Sequence, residues 1–465
     1  MNRKRLRRKH FSRGSLDNTV VEADPLSEGR RLLASGQVEE AIRVLVALRI
    51  VEPENIACWR LLSNTYRRSH RFSAALACAH QAVRIDETDA QSIHLLAMAY
   101  SDLDQHQQAL SAGKALLKLH PGTESDLLVA DLLREAGHFQ EAIGLYRQLA
   151  NSNPSDWRLR YGLGLLELQV GDYVKGWEHI DARYDDPEGP WPRLSGKRWD
   201  GRPSNGSELL VIDEHGLGAS MMMSRFLPPV ADMMGRVTVA CRPVLQQLYR
   251  SLGVNVIMPD EASKFRCDYW TGVMSLGGLL EPDPSDWPMP VPYSIPDSAR
   301  KKFRFIGQIA GVRPKVAVAW SGSPNYRTNF KRSCSPDHFH RLGWAMPDLQ
   351  FFSFQYGPAA KDLDRFGAGS IAPVAQLFRG MEDTAAGLHQ VDLLVMTDSA
   401  YVHLAGTLGI PTLVLLPKVA YWAYGDLPHQ CPIYRSVQMV RQPVAGDWDS
   451  VFSQLPDLIR KLLPT

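Results

Sequence analysis

An α-helical repeat array followed by an α/β region is the fold class that this 465-residue sequence predicts. Three observations predict it. Small residues recur at Ala41, Ala75, Ala109, Ala142 and Gly176, spaced 34, 34, 33 and 34 apart. From Glu208 onward, short apolar runs alternate with helical patterns, which is the signature of a parallel sheet covered by helices. Last, Val391 to Pro417 reads as strand, helix, strand: Leu393 to Met396 is apolar on both faces, and Thr397, Asp398 and Ser399 end the run and cap a helix. Tyr401 to Leu408 supplies that helix, Gly409 closes it, and Pro411 precedes the apolar run Thr412 to Leu416.

The first 24 residues predict a disordered basic tail. Seven Lys and Arg fall among the first fourteen, so of a net charge of +2 the remainder of the chain carries −5. A mildly acidic body with a basic arm does not indicate a nucleic-acid groove, and the arm allows at most peripheral contact with an anionic membrane. Asp17, Glu22 and Asp24 interrupt the place where a signal peptide would need its apolar core. No apolar run approaches the roughly 20 residues that a membrane-spanning helix needs. The six cysteines are scattered without a Cys-x-x-Cys pair, as expected of reduced thiols in a cytoplasmic protein.

Residues 25–186 predict the repeat array. Five residues before each recurring small residue lies a turn position: Gly36, His70, Asp104, Gly137 and Gly171. Trp59, Leu62 and Tyr66, then Ile93, Leu96 and Tyr100, show helical spacing one repeat apart. These features resemble tetratricopeptide repeats, paired helices with a 34-residue period, and the small residue stands where two helices approach closely. Such a solenoid usually binds a protein partner; the alternative is a rigid spacer or a cap on the next domain. Residues 187–206, rich in proline and glycine, predict a linker, with Trp191 and Trp199 packing across the junction.

The first α/β lobe is expected over 207–312. Glu208 to Ile212 is a strand, followed by Asp213, Glu214, His215 and the pair Gly216 and Gly218, then a helix over Ser220 to Met234. Glycine there lets backbone approach a ligand closely. Further strands are expected at Arg236 to Cys241 and Val254 to Met258, with Val244 to Leu252 helical between them. The second lobe is expected over 313–465. Val316 to Gly322 is a strand opening into a cationic loop with Arg327, Lys331 and Arg332; Phe351 to Phe354 is another strand, and Asp383 to His389 a helix. Asp449 to Leu463 has amphipathic helical spacing that would let it cross back to the first lobe.

The corner after Met396 is a ready seat for phosphate, because a helix N-terminus at the carboxyl end of a strand carries free amides and partial positive charge. His403 falls in the first turn of that helix, beside the same pocket. The alternative is that Asp398 and Ser399 only cap and that His403 is a satisfied, partly buried histidine.

Four segments together resemble the heptosyltransferase-like (family 9) glycosyltransferases: Glu214 to Pro228, Val318 to Ser333, Asp383 to Gly406 and Val440 to Trp448. The whole order resembles bacterial proteins in which tetratricopeptide repeats precede such a domain. The resemblance implies a GT-B fold, two Rossmann-like lobes facing a cleft, with a nucleotide sugar as co-substrate held mainly by the C-terminal lobe. Asp398, Ser399 and His403 then lie at the donor phosphates and sugar, and Lys331, Arg332 and Ser333 offset charge on the departing diphosphate. Trp422 and Tyr424 match an aromatic pair that either stacks on the donor or packs internally. Arg225 is retained in the helix after the glycine loop, either at the cleft or in an ion pair that fixes the loop.

The family's glycine loop carries an aspartate, thought to be the catalytic base, where this chain has Ala219. A methyl group accepts no proton, and general-base assistance is typically worth about 10²–10⁴-fold in rate. Glu214 or His215 would have to supply the base from the same loop; the imidazole has the better-matched acidity. No metal or other cofactor is expected, since Asp102/Asp104 and Asp362/Asp364, the Asp-x-Asp pairs, read as solvated charge. The expectation is therefore a metal-independent transferase moving a sugar from a nucleotide sugar to a protein, glycan or lipopolysaccharide hydroxyl. The competing expectation is a catalytically inactive scaffold that serves as a protein-interaction adaptor.

Overall fold

The computed structural model of the chain describes residues 24–189, 191–366 and 371–463. The basic tail expected at 1–24 lies, Asp24 excepted, outside the described residues. Two compact units divide at Pro121.

Unit one holds six helices in three hairpins: α1 (Pro25–Ala34), α2 (Val38–Val51), α3 (Ile56–Arg68), α4 (Phe72–Ile85), α5 (Ala90–Asp102) and α6 (His106–Leu119). Asp24, Asn55 and Asp89 cap α1, α3 and α5 by accepting hydrogen bonds from backbone amides of the first turn. The expected turn positions are the ones where the backbone turns left-handed: Gly36, His70 and Asp104 here, Gly137 and Gly171 in unit two, all with φ between 57° and 86°. Ala41, Ala75 and Ala109 are buried, as a close helix–helix approach requires. Asp102, expected to be solvated, is largely buried, 2.5 Å from Arg67 on α3. The periodicity showed the helix and not the partner one repeat away.

Unit two opens with two further helical hairpins, α7 (Thr123–Glu135) with α8 (Phe139–Ser152) and α9 (Trp157–Gln169) with α10 (Tyr173–Ile180). Gly176 on α10 lies so close to α9 that an added Cβ would meet the Leu168 side chain at 2.6 Å. The stretch expected as a linker instead joins the first sheet. Trp199 is buried beside β1 (Lys197–Arg198), and β2 (Ser204–Ile212) starts before the expected lobe boundary. Trp191 stacks on Trp270 with centroids 5.6 Å apart. Burying two indoles holds a proline- and glycine-rich segment against the sheet despite its lack of periodicity.

After β2 come α11 (Leu217–Met223), α12 (Leu227–Met233), β3 (Met234–Ala240), α13 (Pro243–Arg250), β4 (Asn255–Ile257), β5 (Tyr269–Gly272) and α14 (Ser275–Leu280). The single helix expected over Ser220 to Met234 is two, joined through a short 3₁₀ turn. Pro228 and Pro229 start the second, and Met234 already belongs to β3. All pairings in this sheet are parallel, in the order β1-β5-β2-β3-β4. The order reverses between β2 and β5.

α15 (Asp297–Lys302) and α16 (Phe305–Ala310) lead to β6 (Lys315–Ala319), α17 (Asn329–Arg332), α18 (Pro336–Ala345), β7 (Gln350–Ser353), β8 (Ile371–Pro373), α19 (Met381–Leu388), β9 (Leu393–Thr397), α20 (Ala400–Leu408), β10 (Thr412–Leu416), β11 (Val437–Arg441) and α21 (Trp448–Leu462). This sheet too is parallel, in the order β11-β10-β9-β6-β7-β8, reversing between β6 and β9. Both of its faces are covered. Leu394 and Met396 of β9 face one core, while Leu393 and Val395 face another. That second core holds Val451, Leu455 and Ile459 of α21, so the last helix packs on its own sheet instead of crossing back. Its apolar stripe had no means of specifying which sheet it would cover.

The first core is continuous across both sheets and the end of the array. It runs from Leu168, Trp177 and Ile180 through Met222 and Phe226 to Val402 and Val414. Among the described residues no helix is long and apolar enough to cross a membrane.

Candidate active site

In an open parallel sheet the loops leaving two adjacent strands diverge where strand order reverses, leaving a crevice at the strands' carboxyl ends. Both reversals in this molecule are lined by residues that the sequence singled out. At the second sheet, β6 leads into the cationic loop and β9 into Asp398. Arg332 bridges them, donating from Nη1 to Asp398 Oδ2 at 2.9 Å. Tyr424 donates to the other carboxylate oxygen at 2.8 Å. Ser399 caps α20 by accepting from the Tyr401 amide at 3.2 Å.

The loop after β6 is shaped from within. Gln355 is buried, and its Oε1 accepts from the amides of Trp320 and Ser321 at 2.9 Å each. Asn329 Nδ2 donates to Ser321 Oγ, which lies 3.0 Å from Ser333 Oγ. Arg332 in turn donates to Asn329 Oδ1 and lies 4.2 Å from the centre of the Tyr326 ring. Lys331 takes another direction, with Nζ 3.7 Å from Glu135 on α7. Arg327 Nη2 lies 3.9 Å from the same carboxylate, so the loop's three cations are divided: Arg332 serves the strand ends, and Arg327 and Lys331 the repeat array.

His403 is buried, with Nδ1 3.0 Å from the Tyr434 hydroxyl. Its ring stacks on Tyr424 at 5.7 Å. Burial pushes its pKa down to about 4, so the ring is neutral at pH 7. It also marks the meeting of the two lobes: a Cβ on Gly218 of α11 would lie 2.6 Å from His403 Cδ2. Only glycine allows α11 to come this close.

At the first sheet the reversal lies between β2 and β5, whose carboxyl ends carry Glu214 and Met274. Glu214 Oε1 accepts from the Met274 amide at 3.2 Å. Arg183, which follows the last repeat helix, holds the same carboxylate in a fork, Nε to Oε2 at 2.7 Å and Nη2 to Oε1 at 2.6 Å. With both oxygens committed, Glu214 is a poor candidate for the base. His215 has left-handed backbone, φ 64°. Its ring stacks on Tyr161 of α9 at 6.2 Å and 17°, and burial lowers its pKa. A neutral imidazole can accept a proton.

The remaining expected site residues are placed elsewhere. Arg225 is buried, its guanidinium 5.0 Å from the Trp287 ring and 4.8 Å from Tyr434, with Nη1 donating to the Ile433 carbonyl at 3.3 Å. Among the described residues no carboxylate pairs with it, so the ion pair expected for it is not seen there. It ties the first lobe to the segment before β11. Trp422 is buried edge-on against Trp177 of α10, at 5.6 Å and 87°. Trp422 and Tyr424 thus follow the packing alternative and offer no open ring face. Ala219 is buried beside Gly218.

Several residues of the site carried no signal in the sequence. Arg183 and Tyr161 belong to the repeats, where nothing in a 34-residue pattern distinguishes a side chain aimed at a later domain. Gly272 gave no motif, yet a Cβ there would lie 2.1 Å from Glu214 Oε1. Tyr434 and Gln355 fall outside every apolar run.

A tetratricopeptide repeat model matches residues 127–182, and the helical hairpins of this chain are such repeats. Protein FlbA of Caulobacter vibrioides is 23% identical over 448 residues, which span 90% of this chain and 70% of that protein. A tetratricopeptide repeat protein 21 homolog of Caenorhabditis briggsae is 29% identical over 126 residues, 27% of this chain and only 10% of that protein. Among solved structures, YrrB, a repeat protein with an unusual peptide-binding site, aligns at 17% identity and a TM-score of 0.29 over 35% of this chain and 86% of its own. A repeat protein from Parabacteroides merdae aligns at 17% identity and 0.35, over 37% of this chain and 68% of its own.

Proposed function

We propose that the protein is a glycosyltransferase of GT-B type, taking a nucleotide sugar as donor and a protein or glycan hydroxyl as acceptor. The observation that carries this reading is the close packing of α11, the helix that follows β2, on α20, the helix that follows β9. The loop of Glu214 to Gly218 lies against His403, so the loop with the neutral imidazole and the corner with Arg332 border one junction. Two all-parallel sheets, each with one strand-order reversal, and the close approach of α11 to α20 support the GT-B reading.

In the proposed reaction the acceptor oxygen gives its proton to the His215 imidazole and forms a bond to the anomeric carbon. The bond from that carbon to the diphosphate oxygen breaks, and the departing charge is met by Arg332 and the positive end of the α20 dipole. The repeats bind the acceptor or another protein partner, as repeats of this kind typically do. The test uses the full chain with a panel of nucleotide sugars. Binding with hydrolysis or transfer supports the reading, and neither binding nor turnover with any donor removes it.

An adaptor without catalysis is favoured by one set of observations: Ala219 at the family's base position, Glu214 committed to Arg183, and Asp398 committed to Arg332 and Tyr424. Ala219→Asp separates the two. Activity that appears only in that variant shows a lost base and supports the adaptor.

A further inference from the structure

The loop that presents His215 is held from outside its own lobe as well as from within it, by Arg183 on one side and by Met274 and Arg242 on the other. Arg183 is buried, and besides gripping Glu214 it donates to the Ile180 carbonyl at 3.0 Å, to Asp181 at 2.8 Å and to Ser275 Oγ at 2.9 Å. Tyr184 accepts from the Gly272 amide at 2.9 Å and lies 2.7 Å from Ser275 Oγ. These contacts join the end of α10 to the ends of β2 and β5. Gly272 is part of the same construction, because the Glu214 carboxylate and the Arg183 fork occupy the space a side chain would need.

On top of this clamp sits a histidine in the left-handed backbone region, φ 64°. Glu214 Oε2 is 3.6 Å from His215 Nε2, and the opposite contact is the Tyr161 ring. The charged groups that bear on the imidazole are Glu214 and Asp213, which favour its protonation, and Arg183 and Arg242, which oppose it. Asp213 and Arg242 are paired with each other at 2.8 Å, so the balance rests on Glu214, Arg183 and the cover given by Tyr161.

We propose that Arg183 and Tyr161 are positioning residues for His215, so that the last repeat hairpin and its extension are a structural part of the loop that accepts the proton. The proposal rests on the transferase reading for its catalytic meaning, but the positioning itself can be measured without turnover. A repeat array that only recruited a partner would have no reason to place an aromatic ring and a buried guanidinium on this loop. The consequence is that changes in the repeats alter the acid limb of the reaction as well as recruitment.

The test is a histidine NMR titration of the full chain, labelled at histidine, with the His215 signal assigned by its loss in His215→Gln. Tyr161→Ala removes the cover and Arg183→Gln removes the opposing cation, and each is expected to raise the His215 midpoint by about 0.5–1 pH unit. Tyr161→Phe retains the ring and is expected to restore the wild-type midpoint. Where a donor supports turnover, the acid limb of kcat/KM moves by the same amount. An unmoved midpoint in folded Tyr161→Ala overturns the proposal, as does a Tyr161→Phe midpoint that moves with the alanine variant. If Arg183→Gln does not fold, the two Tyr161 variants still decide. A shifted midpoint in a chain that turns over no donor sustains the positioning while removing the transferase reading.

Discussion

Arg332 and Asp398, 66 positions apart in the chain, meet at 2.9 Å across the strand-order reversal of the second sheet. Each is mostly buried, and Tyr424 satisfies the other carboxylate oxygen. The pair fixes the cationic loop over the end of β9. On the proposed transferase reading, Arg332→Ala is expected to weaken binding of nucleotide diphosphate sugars at least about tenfold, since a charge-assisted hydrogen bond contributes about 1.5–3 kcal/mol. Calorimetry with the full chain measures this, and an unchanged Kd would place the donor elsewhere.

Stability should fall in mild acid because of His403. Its folded-state pKa, about 4, lies below the unfolded value of 6.5, so the unfolded chain binds the proton first. This contribution is complete above about pH 6.5 and is lost as the pH falls toward 4, amounting to about 3 kcal/mol for a fully buried ring. Thermal unfolding should show a steeper acid loss in wild type than in His403→Gln. Parallel curves for the two proteins would contradict the assignment.

Gly218→Ala tests the contact between α11 and α20. The new methyl would lie 2.6 Å from His403 Cδ2, inside any tolerable separation. Overpacking of this kind costs about 1–3 kcal/mol, and the same substitution at Gly216, where a Cβ meets nothing within 4 Å, should be milder. Comparing the two Tm values checks this.

Trp177→Ala should loosen the end of the repeat array from the two lobes. The indole packs on Trp287 and Trp422, donates to the Pro282 carbonyl at 2.9 Å, and lies over Gly277 and Gly278, where added Cβ atoms would each sit 2.9 Å from it. Truncating a buried tryptophan costs about 3–5 kcal/mol. Hydrogen exchange should rise in α9, α10 and α14 together; a rise confined to α10 would show that the junction is held by other contacts.

Local pattern carried the repeats and most strands, because period and apolar run length are properties of neighbouring residues. The left-handed turns at His70 and Asp104 were legible for that reason, although neither is glycine. Asp398, Arg332 and Gly218 were legible as a motif. Partnership was not. That Glu214 belongs to Arg183, that Lys331 faces Glu135, and that α21 covers the second sheet all depend on contacts between distant segments. In residues 187–206 the two tryptophans, Trp191 and Trp199, were legible as packing across the junction, but with no periodic pattern around them β1 and the start of β2 were not.

The core that begins at Leu168 and ends beyond Val414 bears on how such a chain is assembled from parts. Its hairpins look interchangeable on paper, yet α7 to α10 share a compact unit with both sheets, and the division falls at Pro121. A graft that replaced everything up to residue 186 would carry away Tyr161, Trp177 and Arg183 and leave an open wound in the remaining body. Cut after the third hairpin, at the division between the units, the same exchange would leave Tyr161, Trp177 and Arg183 in place beside the loop of Glu214 and His215.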